Sequence, residues 1–105
     1  MSKPVILAVD DEPTVLAAVA RDLRLEYGEE YRVLTAPSGI QALELLRELK
    51  RKAAPVALLV VDQRMPEMNG VEMLREAILL YPDTRRVLLT AYADTEAAIQ
   101  AINDV

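Results

Sequence analysis

The chain has 105 residues, 52% of them hydrophobic and 28% charged, a net charge of −5, and neither cysteine nor histidine. That is one domain's length, with enough apolar content to fold as a soluble globular unit, and an acidic balance that argues against direct nucleic-acid binding, which needs a basic face. Without Cys or His there is no disulfide, thiolate site, Ser-His-Asp triad or His-bound metal, so any chemistry runs on carboxylates, hydroxyls, backbone groups, Lys or Arg.

Residues 5–9 (Val-Ile-Leu-Ala-Val) form a short continuous apolar run, which predicts a buried strand. Pro13 suits the first turn of a helix, along which Leu16, Val19, Ala20 and Leu23 recur at helical spacing until Gly28. Tyr31 to Ala36 alternates and predicts a second strand. Ser38 with Gln41 three residues on has the form of a capping box, ahead of an apolar stripe of Ile40, Leu43, Leu46 and Leu49. Lys50-Arg51-Lys52 then suits a helix C-terminus.

A third strand is expected over 56–61. After it come a loop with Pro66 and Asn69-Gly70, and a helix carrying Val71, Leu74, Ala77 and Ile78 that ends by Tyr81-Pro82. A fourth strand is expected over 86–91, and Asp94 caps a last helix with Ala97, Ala98, Ile99 and Ile102. Strands alternating with helices predict an α/β fold: a doubly wound, mostly parallel sheet with helices on both faces, as one domain over 1–105. No apolar stretch is long enough to span a membrane, and the first apolar run is too short for a signal-peptide core, so a cytoplasmic location without a membrane partner is expected.

The strand ends carry the chemistry. The first run stops at Asp10-Asp11, the third at Asp62 and the fourth at Thr90. In a parallel sheet these ends lie side by side, in the crevice where open α/β sheets bind ligands. Taken singly, each has a plainer reading: Asp10-Asp11 and Asp62 as helix caps or turn residues, Thr90 as an ordinary β-branched strand residue. Together, three acids repel unless a cation offsets them, and Mg²⁺ takes oxygen ligands from one or two carboxylates plus a phosphate. A carboxylate is already ionised at neutral pH and can itself attack phosphorus, with no general base.

Asp10-Asp11, then Asp62-Gln63-Arg64-Met65-Pro66-Glu67-Met68-Asn69-Gly70, then Leu89-Thr90-Ala91 resembles the receiver domain of bacterial two-component response regulators, over nearly the whole chain. The resemblance implies a flavodoxin-like strand order 2-1-3-4, followed in receivers by a fifth strand and helix that these residues do not include. It implies that Asp62 accepts a phosphoryl group from a sensor histidine kinase or phosphotransfer protein. It implies Mg²⁺ held by Asp10, Asp11, Asp62 and the backbone carbonyl of Arg64, and a Thr90 hydroxyl that moves to the phosphoryl oxygens.

The signal would pass to an output domain beyond Val105 or to a separate effector, with the strand-four and helix-four face available for homodimerisation. The motif wording resembles receivers joined to enzymatic outputs more than those joined to DNA-binding domains. Multiple turnover is not expected beyond self-phosphorylation and autodephosphorylation. The family's phosphoryl-binding Lys follows strand five, and the only lysines here are Lys3, Lys50 and Lys52, all ahead of strands and so toward the opposite edge. That departure keeps open a phosphorylation-independent interaction domain of the same fold. An Asp-nucleophile phosphohydrolase fits less well, because its Asp-x-Asp pattern after strand one is not matched by Asp10-Asp11-Glu12.

Overall fold

The computed structural model describes residues 3–89, and it has seven elements. They are β1 (Val5–Val9), α1 (Pro13–Tyr27), β2 (Arg32–Ala36), α2 (Gly39–Arg51), β3 (Val56–Asp62), α3 (Gly70–Leu80) and β4 (Arg85–Leu89). All strand pairs are parallel, in the order β2-β1-β3-β4. The expected α/β sheet and strand order are therefore present. Asp94 and the expected last helix lie outside the described residues.

Side chains alternate across each strand, so the sheet has two apolar faces. Leu7, Val9, Leu59, Val61 and Leu88 lie on one face under α2 and α3, packed with Leu46, Met73 and Leu74. Ile6, Val33 and Val60 lie on the other, under Ala20, Val19 and Leu23 of α1. Leu7, Leu46 and Leu59 are almost fully buried, and each such side chain contributes roughly 1.5–3 kcal/mol relative to exposure. β1 and β3 occupy the two central places, which explains why β1 reads as an unbroken apolar run: all five of its residues are buried.

Several local signals act differently from their sequence reading. Ser38 does cap α2, its Oγ accepting from the Gln41 N–H at 3.1 Å. The reciprocal capping box, however, is at Asn69 and Glu72, where each side chain accepts from the other residue's backbone N–H. This is the same spacing of a short polar residue and an acid three positions on, and it was legible in Asn69-Gly70-Val71-Glu72. α2 ends in a Schellman motif: the Ala54 N–H donates to Leu49 O and the Ala53 N–H to Lys50 O, with Ala53 at φ 58° where glycine is usual.

The edge of the sheet where β3 and β4 begin is closed by hydroxyls. Thr84 Oγ1 donates to Val56 O at 2.7 Å, and the Tyr81 hydroxyl donates to Ala54 O at 2.8 Å. Lys50 lies over the Tyr81 ring, 5.2 Å from its centroid.

Candidate functional site

β3 runs one residue further than its apolar pattern suggests, so Asp62 is the last strand residue and pairs in register with Leu89 of β4. Val9 pairs with Val61, which sets Asp10 and Asp11 just past the end of β1, beside Asp62. One carboxylate oxygen from each of Asp10, Asp11 and Asp62 lies within 4.8 Å of the other two. Neither cap reading holds for these acids. The N-cap of α1 is Glu12, with no side-chain bond of its own, and the N-cap of α3 is Asn69.

The three acids sit in different surroundings. Asp10 is only 6% exposed. Its Oδ1 accepts from the Glu12 N–H at 2.9 Å, which anchors the turn into α1. Asp11 is exposed and Asp62 is half-buried. The Asp62 pKa is raised above the usual 3.8, first by burial and then by the charges of Asp10 and Asp11. Hydrogen bonds from the backbone N–H groups of Gln63 and Arg64 pull it back down. A carboxylate destabilised by two others is stabilised by a cation.

The donor set fits Mg²⁺. It is all oxygen, strongly anionic and open to water through Asp11, as a hard ion that keeps part of its hydration shell requires. Arg64 follows on the β3–α3 loop, two residues from Asp62. Thr90 lies outside the described residues, directly after Leu89, the partner of Asp62. None of the lysines joins the acids: Lys3 donates to Gly28 O, Lys50 lies on Tyr81 and Lys52 pairs with Glu48.

The loop after Asp62 is more organised than a plain turn. Met65 is buried in the core. Met68 packs on the start of α2, its side chain 3.2 Å from where a Cβ on Gly39 would stand. The Met68 N–H donates to Pro66 O at 2.7 Å across Glu67, whose φ is 67°. That i to i+2 bond with positive φ is the rarer, strained form of γ-turn. Gly70 permits a close approach behind the acids, since a Cβ there would stand 2.6 Å from Asp62 O and from the Leu88 side chain. Sequence reading placed the loop but not these contacts, which bring the loop against α2 at Gly39 and the start of α3 against β3 and β4.

A parallel sheet in this order, with an acid trio at its C-terminal edge, defines a receiver-type fold. The response regulator receiver domain family matches residues 6–104, and the chain belongs to that family. It is 37% identical over 99 residues to the hydrogenase transcriptional regulatory protein HoxA of Cupriavidus necator, covering 94% of this chain and 19% of that protein. It is 36% identical over 89 residues to sensor kinase CckA of Brucella abortus, covering 85% of this chain and 9% of that one.

The chain thus spans a fifth or less of the length of these curated relatives. Among solved structures it resembles a response regulator receiver domain protein from Clostridium thermocellum. The TM-score is 0.79 at 29% identity, over 96% of this chain and 75% of that one. It also resembles adenylate cyclase from Rhodopirellula baltica, with a TM-score of 0.81 at 32% identity over 97% of this chain and 70% of that one. Transcriptional and enzymatic names both occur among these proteins.

Proposed function

We propose that this receiver domain is a phosphorylation switch with Asp62 as the phosphoacceptor. The observation that carries the proposal is the convergence of Asp10, Asp11 and Asp62 at the ends of two neighbouring central strands. Asp10, Asp11, Asp62 and the backbone carbonyl of Arg64 would hold Mg²⁺, which when bound neutralises charge on the acids and on an incoming phosphoryl group. An Asp62 oxygen attacks phosphorus of a phosphohistidine on a sensor kinase or phosphotransfer protein. The P–N bond breaks, the imidazole leaves with the electron pair and takes up a proton, and Asp62 becomes an acyl phosphate. Water later attacks that acyl phosphate, releasing inorganic phosphate and restoring the Asp62 carboxylate.

Strand geometry supplies most of the positioning. Asp62 is the terminal residue of a buried strand, so its backbone is held by β4 while its side chain reaches the crevice. Thr90 follows the β4 partner of Asp62 and is assigned the hydroxyl that donates to a phosphoryl oxygen. The change in charge at Asp62 then biases the segment after β4, through which an output domain or separate effector in the cytoplasm would be addressed.

Acetyl phosphate with Mg²⁺ is expected to add one phosphoryl group to the protein by intact mass, and chelation of Mg²⁺ is expected to suppress the adduct. Asp62→Asn abolishes it on this reading. An adduct that survives Asp62→Asn overturns the assignment.

A further inference from the structure

Gln63 directly follows Asp62 and joins three elements. Its N–H donates to Leu89 O of β4 at 3.0 Å, and its carbonyl accepts from the Gly70 N–H at 3.1 Å. Its side-chain Oε1 accepts from the Val71 N–H at 3.0 Å. The first N–H groups of a helix have no partner within it. In α3 the Glu72 N–H goes to Asn69 Oδ1, and the Asn69 N–H goes to Glu72 Oε1. The remaining two, from Gly70 and Val71, both go to Gln63.

α3 therefore has two caps, Asn69 at its own N-terminus and Gln63 from just past the end of β3. The second cap closes residues 64–69 into a loop whose two ends are bonded through both main chain and side chain. Arg64 is the first residue inside that closure, and Asp62 is the last outside it. A side chain one methylene shorter than Gln does not reach Val71, and one without an acceptor leaves a partly buried N–H unpaired.

We infer that Gln63 is a positioning residue: by capping Val71 it holds the Asp62 carboxylate and the Arg64 carbonyl in one geometry toward the cation. This inference rests on the function proposed above.

The test is Mg²⁺ titration followed by backbone amide shifts, together with hydrogen exchange at Val71, on the whole protein. Gln63→Met is expected to speed exchange at Val71 and weaken Mg²⁺ binding about tenfold, as loss of a group that orients a metal ligand typically does. Gln63→Asn, with a smaller change in volume, is expected to do the same. Gln63→Glu keeps the acceptor and is expected to restore the protection of Val71 and at least wild-type Mg²⁺ affinity. Tyr81→Phe removes a hydrogen bond just past the far end of α3 and is expected to lower stability with Mg²⁺ affinity unchanged.

Wild-type Mg²⁺ affinity in Gln63→Met and Gln63→Asn overturns the inference, as does an equal loss in Tyr81→Phe. A wild-type protein that neither binds Mg²⁺ nor takes up phosphoryl groups overturns the proposed function, and this inference with it.

Discussion

The two edges of the sheet treat polar groups in opposite ways. Where β3 and β4 begin, the buried Thr84 hydroxyl and the half-buried Tyr81 hydroxyl each donate to a main-chain carbonyl. At the other edge, one carboxylate oxygen from each of Asp10, Asp11 and Asp62 lies within 4.8 Å of the others, and burial, then the charges of Asp10 and Asp11, make Asp62 harder to ionise. The first arrangement is complete within the chain and contributes stability. The second is held together against its own repulsion by the surrounding fold. A like-charge pair at such a separation costs about 1 kcal/mol in bulk water and several times more as the dielectric falls.

The largest effect is expected at the closest approach. Gly70→Ala drives a Cβ to 2.6 Å from Asp62 O and the Leu88 side chain, which should cost roughly 1–3 kcal/mol by overpacking. Chemical denaturation would measure it, and Mg²⁺ binding should weaken in parallel because the shift falls on the Asp62 main chain. At the opposite edge, Thr84→Val leaves the Val56 carbonyl without its 2.7 Å donor, at about 1–2 kcal/mol. Its acetyl phosphate reactivity should match wild type. Reduced reactivity there would mean that the two edges are not independent.

Third in size is Asp62→Asn, which should stabilise the metal-free protein by about 1 kcal/mol by removing one of three like charges. The pH dependence carries the same signature. The folded-state pKa of Asp62 lies above the ordinary 3.8, raised by burial and then by Asp10 and Asp11, so the folded chain binds a proton more tightly than the unfolded one. Stability from this group is then present below pH 3.8 and lost as pH rises to the raised value, leaving the ionised form less stable at neutral pH. Thermal melts across that interval should show this component in wild type and not in Asp62→Asn. Saturating Mg²⁺ should stabilise wild type more than Asp62→Asn.

The smallest pair compares strain at the two edges. Ala53 at φ 58° and Glu67 at φ 67° both occupy left-handed backbone. Replacing either by glycine should gain up to about 1 kcal/mol. Ala53→Gly should leave phosphoryl uptake unchanged, whereas Glu67→Gly loosens the γ-turn in the loop after Asp62 and should alter its rate. Equal rates in both would show that the strain at Glu67 has no part in the site.

Much of the site was legible because its residues end strands. Asp10 and Asp62 each interrupt an apolar run, and in a parallel sheet that local fact places both at one edge. The signature at Ser38 and Gln41 did mark the N-cap of α2, whereas the reciprocal box at Asn69 and Glu72, with the same spacing, was not singled out. The Pro66 and Asn69-Gly70 signals marked the loop ahead of the helix that carries Val71, and Asn69 and Gly70 are its N-cap and first residue. Gln63 gave no local signal at all, since its partners Val71 and Leu89 are distant in sequence and meet it only across the folded sheet.

Local order and periodicity were enough to establish the alternating elements, the parallel sheet and the set of acids at its edge, because burial and chain direction write themselves into short runs of residues. The strand order was implied by the motif and is decided by which strands pair. What tertiary structure alone decided is the distance between Asp10, Asp11 and Asp62, the Asp62 pKa raised by its burial and then by those charges, and the double capping of α3 by Asn69 and Gln63. Each depends on the register between strands and on how closely Gly70 lets α3 approach β3, and no stretch of sequence carries that information by itself.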